Sequence, residues 1–194
     1  MVNIPESSLN RREVVKSILA ERDNCLIVSG LGSPTYDVHA AGDNKKNFYM
    51  WGGMGGASMI GLGLAISRPD KTVIVITGDG EQLMGIGSLA TISVQSPKNL
   101  MLIVLDNEHF GETGMQESHT FYNVDLVRVA EAAGCSNSFL VTNENDLANL
   151  LQVKNSLACF TFAVIKVSEK IESRSLPMVD GSEIKVRFQQ SIDL

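Results

Sequence analysis

Apolar residues along this chain fall into two kinds of pattern. Unbroken runs of mostly branched residues occupy Thr72–Thr77 and Leu100–Leu105, with a shorter run at Cys25–Val28 and a later one at Phe160–Val167. Runs apolar at successive positions mark strands buried on both faces, as in a parallel sheet covered by helices. Elsewhere the apolar positions recur at helical spacing. Val14, Val15, Ile18 and Leu19 form the stripe of a first helix, capped by Ser7 or Ser8, whose other face, Arg11, Arg12, Lys16 and Glu21, reads as a solvated surface. Further helices are predicted over Ala57–Ser67, Gln82–Gln95, Asp125–Ala133 and from Glu144 toward Lys154, with a short strand at Asn47–Trp51.

Gly61 and Gly63 fall inside the helix predicted over Ala57–Ser67, where each glycine costs about 1 kcal/mol relative to alanine. Close backbone packing, on the sheet or against a second subunit, is the expected compensation. After the last strand, residues 168–180 read as a loop and Glu183–Gln190 as a short helix. The alternation predicts an α/β fold in three layers, a mostly parallel central sheet with helices on both faces, in one domain over residues 1–194. Residues 168–194 form its C-terminal loop and short helix.

Composition narrows the function. A length of 194 residues with 44% hydrophobic content suits one domain with a real core. A net charge of −6 and the lack of a basic run argue against nucleic acid and acidic membranes as partners. No apolar stretch reaches the roughly 18 residues of a membrane span, and the first residues are polar, so neither signal peptide nor anchor is expected. Cys25, Cys135 and Cys159 are far apart, which fits reduced thiols in a cytoplasmic protein and no zinc or iron–sulfur site. His39, His109 and His119 also lack metal spacing and read as ordinary surface or loop residues.

The chemistry gathers where the two long runs end. The first breaks into Gly78-Asp79-Gly80 and the second into Asp106-Asn107, followed by Glu108-His109-Phe110-Gly111. Ligands of parallel sheets collect beyond the carboxyl ends of the strands. Asp and Asn offer hard oxygen ligands of the kind Mg²⁺ takes alongside phosphate and water. Taken alone, Gly-Asp-Gly is a common turn and Asp79 could simply cap a helix. The 26 residues between Gly80 and Asn107 leave room for a crossover helix and a second strand, so both side chains can reach one sheet edge. The small residues of Ser29-Gly30-Leu31-Gly32-Ser33, after an earlier strand, can offer donors to phosphate or make an ordinary turn.

Gly-Asp-Gly, this interval and Asn resemble the diphosphate-binding motif of thiamine diphosphate enzymes. The resemblance implies that Asp79, Asn107 and the main-chain carbonyl of His109 hold Mg²⁺, which bridges to the diphosphate. In Trp51-Gly52-Gly53-Met54-Gly55-Gly56, Met54 matches the apolar wedge that bends the cofactor into a V. The alternative is that Met54 only fills core. Gly32 and Ser33 match the family's diphosphate donors, and Gly53, Gly78, Gly80, Glu81, Phe110, Gly111 and Thr113 fall in its cofactor-binding segments. Glu81 departs from the family, which has a small residue there; it is expected to face away or to bind outward water. Glu112 stands where it could touch substrate or be merely solvated.

The motif Gly111-Glu112-Thr113-Gly114-Met115-Gln116 is similar to one in thiamine diphosphate-dependent 2-oxo acid decarboxylases, including those of sulfopyruvate and phosphonopyruvate. The resemblance covers nearly the whole chain but half of an enzyme. It fits the β subunits of two-chain decarboxylases, whose α chain carries a pyrimidine-binding domain and the Glu that activates N1′ of the cofactor. It therefore implies a lyase, decarboxylating a small 2-oxo acid only within a dimer or higher hetero-oligomer. Two other readings stand beside it: the β subunit of a 2-oxo acid oxidoreductase, and a non-catalytic thiamine diphosphate-binding module.

Overall fold

The computed structural model describes residues 9–22 and 24–192 of the chain. Six strands form one sheet in the order β2-β1-β3-β4-β8-β7: β1 (Leu26–Ser29), β2 (Asn47–Tyr49), β3 (Val73–Gly78), β4 (Leu100–Asp106), β7 (Ser138–Val141) and β8 (Thr161–Lys166). Every pairing in it is parallel. The sheet is therefore of the kind expected, and the branched runs at its centre are buried on both sides. Alternate residues of β3 show why: Val73 and Val75 enter one core, Ile74 and Ile76 the other.

Helices cover the two faces. On one lie α3 (Ala57–Ser67), α5 (Ser88–Gln95) and α7 (Leu126–Ala132), which contribute Leu62, Leu89, Ile92 and Leu126. On the other lie α1 (Arg11–Leu19) and α8 (Glu144–Asn155), with Val15, Ile18, Leu147 and Leu150. Helix α9 (Gly181–Ser191) packs beside β2 and sends Ile184 into one core and Phe188 into the other. Helix α2 (Ser33–Ala40) follows β1, and α4 (Asp79–Met84) follows β3. Gly61 rests on the sheet, where a side chain would collide with Val75, while Gly63 faces open space. Sheet packing thus accounts for the first of the two helical glycines.

Several expectations need correction. The helix predicted over Gln82–Gln95 is two helices, α4 and α5, broken at Gly85–Gly87. Gly85 lies so close to the backbone of Gly55 that no side chain fits between them. The polar face of α1 is not all solvated: Arg11 is buried and Arg12 half-buried, drawn in by Asp37 of α2. Ser7 and Ser8 lie outside the described residues; the cap of α1 is Asn10, whose side chain accepts from the N–H groups of Arg12 and Glu13. The edge strand β7, the one-turn helix α6 (His119–Tyr122) and a small antiparallel hairpin of β5 (His109–Phe110) and β6 (Gln116–Glu117) have no counterpart among the predicted elements.

Residues 168–180 carry neither helix nor strand, yet they are pinned across the molecule. Arg12 donates to the Ser173 carbonyl at 2.7 Å, and Trp51 Nε1 to the Met178 carbonyl at 2.7 Å. Arg174 reaches Glu112 at 3.0 Å. Among the described residues no helix is long and apolar enough to cross a membrane.

Candidate cofactor site

The ends of β3 and β4 are level in the sheet, Gly78 opposite Leu105, and β8 continues the row with Lys166 opposite Asp106. Asp79 and Asn107 therefore leave adjacent strands side by side, and both line one cleft. Parallel pairing with this register brings together two residues distant in sequence.

Asp79 is buried, and its Oδ2 accepts hydrogen bonds from Ser118 Oγ and, at 3.2 Å, Thr120 Oγ1. Burial pushes its carboxyl up to about 6, helped by Asp106 and opposed by Ser118, the Gly80 N–H and Thr120. Asp106 is buried, is not among the residues that line the cleft, and is held by Lys166 Nζ at 2.7 Å, which also grips Glu108 at 2.6 Å. Burial pulls the Lys166 ammonium down, but these two carboxylates outweigh it and lift it above its ordinary value. Asn107 Oδ1 accepts the His109 N–H at 3.2 Å, and between them Glu108 adopts a φ of 63°. A non-glycine residue rarely holds that conformation, and here the Lys166 ion pair and a bond from the Glu108 N–H to Asp106 help fix it.

The other candidates distribute around the same cleft. Ser33, Met54, Gly78, Gly80, His109, Phe110, Gly111, Glu112 and Thr113 all line it. Gly32, with a φ of 74°, caps α2 beside Glu112, and Gly53, with a φ of 69°, sits in the exposed turn before Met54; neither is on the cleft wall itself. Met54 is 37% exposed, so it is not core filling. Glu112 is paired with Arg174 and lies 3.5 Å from the Tyr36 hydroxyl.

Glu81 does not face away. It is buried and turned inward, where Oε2 accepts from the Leu31 N–H at 2.8 Å and Thr77 Oγ1 at 2.9 Å, and Oε1 from the Gly55 N–H at 3.3 Å. Its carboxylate ties the loop after β1, the end of β3 and the turn bearing Met54 into one unit. Sequence reasoning also missed Ser118 and Thr120; a Ser-x-Thr at the start of a one-turn helix carries no local sign that it will support a carboxylate some 40 residues earlier.

The donor set suits a hard divalent ion. It offers one carboxylate, one amide oxygen and a main-chain carbonyl, with no thiolate, which fits Mg²⁺ better than a softer metal. Among the described residues no three His, Cys, Asp or Glu side chains converge to hold a metal. The set here contains only one such side chain, so it would not form a group of that kind.

Comparisons with known proteins agree on the kinship of the chain. The sulfopyruvate decarboxylase subunit beta of Methanocaldococcus jannaschii is 37% identical over 188 residues, 94% of this chain and 96% of that one. The corresponding subunit of Methanococcus maripaludis is 38% identical, over 95% of this chain and 98% of its own. The sulfopyruvate decarboxylase of Methanosarcina acetivorans is 35% identical over 95% of this chain, which spans only 47% of that longer protein. An X-ray structure from Mycobacterium smegmatis, assigned to thiamin diphosphate-dependent enzymes, shares the fold with a TM-score of 0.72 at 18% identity, over 84% of this chain and 32% of the other. The family model for the C-terminal TPP-binding domain of thiamine pyrophosphate enzymes matches residues 33–167, and the chain belongs to that family.

Proposed function

We propose that this chain is the diphosphate-binding subunit of a thiamine diphosphate- and Mg²⁺-dependent lyase that decarboxylates a small 2-oxo acid bearing a sulfonate or phosphonate group. The observation that carries the reading is the meeting of Asp79 and Asn107 on one cleft at the ends of adjacent central strands. Asp79, Asn107 and the His109 carbonyl hold the cation, and Ser33, Gly111 and Thr113 offer donors to the diphosphate. Met54 props the cofactor rings, and Glu112 stands at the cleft mouth toward the substrate. When bound, thiamine diphosphate supplies the electron sink for the bond broken in decarboxylation.

The chain works only with a second subunit, which brings a pyrimidine-binding domain and its activating Glu. Support comes from the relatives that are beta subunits and from the longer relative of which this chain spans 47%. Met59, Met84 and Ile86 are exposed on helices α3 and α4 and the turn beyond, where Gly63 also faces open space. Exposed apolar surface of this kind suits a subunit contact.

The test is capture of the cellular partner with the tagged chain, followed by CO₂ release assays on sulfopyruvate, phosphonopyruvate and pyruvate. The complex is expected to release CO₂ from sulfopyruvate or phosphonopyruvate in preference to pyruvate, and the isolated chain from none. Robust turnover by the chain alone would overturn the half-enzyme reading, and an inert complex the decarboxylase reading.

A further inference from the structure

Arg11 is the one arginine or lysine on the cleft wall among the described residues. It is 7% exposed, and its guanidinium makes no hydrogen bond to any described residue. Nε lies 3.4 Å from Asp37 Oδ2 without hydrogen-bond geometry, and both atoms are buried and unsatisfied. The same Asp37 carboxylate also accepts from Arg12 Nε at 3.1 Å, and Arg12 spends a further N–H group on the Ser173 carbonyl. Glu172, the next acid nearby, is engaged by Asn10 and Lys170, and its remaining charge acts on Arg12 and not on Arg11. With one buried carboxylate shared between two guanidiniums, Arg11 stands on the cleft wall without a hydrogen-bond acceptor among the described residues. A buried charge held this way is costly unless a ligand completes it.

We propose that Arg11 binds the terminal phosphoryl group of the cofactor. This rests on the function proposed above and adds a residue to it. Placement favours that end of the ligand. Arg11 begins α1, which packs on one face of the sheet, whereas Met54 leads into α3 on the opposite face. Asp79 and Asn107 stand between them, at the ends of the central strands. A ligand with its rings on Met54 and its metal-bound diphosphate at Asp79 and Asn107 directs its last phosphoryl group toward the α1 side. A guanidinium fork matches phosphate oxygens two at a time, which a lysine cannot do.

The test uses the full chain with its captured partner, Arg11→Gln and Arg11→Lys variants, and thiamine diphosphate with Mg²⁺ as the probe. Calorimetry should show Kd raised about ten- to a hundredfold in Arg11→Gln, the range for a lost bond to a charged group, with partial recovery in Arg11→Lys. In ³¹P spectra of the bound cofactor, Arg11→Lys should move the terminal phosphorus resonance and leave the inner one in place. A thermal midpoint for each variant separates lost binding from lost folding, and Arg11→Lys keeps the charge if Arg11→Gln does not fold. Unchanged Kd and resonances in Arg11→Lys would overturn the assignment. So would unchanged cofactor affinity with a raised KM for the anionic 2-oxo acid, which would give the cation to the substrate. A wild-type complex that binds no cofactor would remove the proposed function as well.

Discussion

Asp79 and Asp106 are joined through a single hydroxyl: Thr120 Oγ1 lies 3.2 Å from Asp79 Oδ2 and 2.8 Å from Asp106 Oδ1. One hydroxyl proton cannot serve two carboxylates at once, and Lys166 satisfies only Asp106. Asp79 is left with hydroxyl and main-chain donors in place of a cation, so burial, and then Asp106, lift its carboxyl to about 6.

Metal binding should therefore be pH-dependent. The folded Asp79 carboxyl is raised from 3.8 to about 6, so without metal its contribution to stability is fully present below pH 4 and is lost as pH rises through 6. Mg²⁺ needs the ionised form, so its affinity should rise over the same interval. Melting temperatures between pH 5 and pH 7.5, with and without Mg²⁺, check both: Mg²⁺ should stabilise strongly at the higher pH and weakly at the lower.

Asp79→Ala should abolish Mg²⁺-dependent cofactor binding, because the amide and carbonyl left behind carry no charge. Calorimetry with thiamine diphosphate measures it, and an unchanged affinity contradicts the metal role.

Ser118→Ala removes a hydroxyl that orients the same carboxylate without touching the cleft. Supporting groups of this type typically change metal affinity about 10- to 100-fold. A Mg²⁺ titration of the variant should show a loss in that range with the fold retained.

Much of the fold was legible because the central strands announce themselves. Val73–Gly78 and Leu100–Asp106 lie where the branched runs placed them to within a residue, and α3 has the predicted ends. The edge strand β7 was not legible, since Ser138–Val141 is short and half-exposed and lacks the buried run. Asp79 and Asn107 were readable from strand ends alone, yet Arg11 was not. In sequence it is one of two adjacent arginines on a polar stripe, and only the buried Asp37 on a neighbouring helix turns it inward. Glu81 failed for a related reason: its partners Leu31 and Gly55 are backbone donors, which no side-chain pattern reveals.

Glu81→Ala should cost stability, by about 2–3 kcal/mol, because it strands two backbone N–H groups and a buried hydroxyl. Glu81→Gln keeps an acceptor oxygen and should cost less. Denaturant unfolding of both variants orders the effects; equal losses would deny the tie between the loops.

Met54→Ala should leave cofactor binding largely intact and slow hydrogen exchange at C2 of the bound thiazolium, since the wedge shapes the ligand without anchoring it. Deuterium exchange followed by NMR decides, and a normal rate removes the wedge.

The segment from 168 to 180 is fastened unevenly. Arg12 and Trp51 hold its backbone at the Ser173 and Met178 carbonyls, whereas the ion pair that ties an adjacent side chain to the cleft mouth, Arg174 with Glu112, is 63% and 38% exposed. Exposed ion pairs weaken with salt, whereas the two anchors do not depend on paired charges. Raising ionic strength thus frees the Arg174 side chain before the backbone on either side of it, and trypsin, which must take up that side chain, should cut after Arg174 sooner in high-salt buffer than in low.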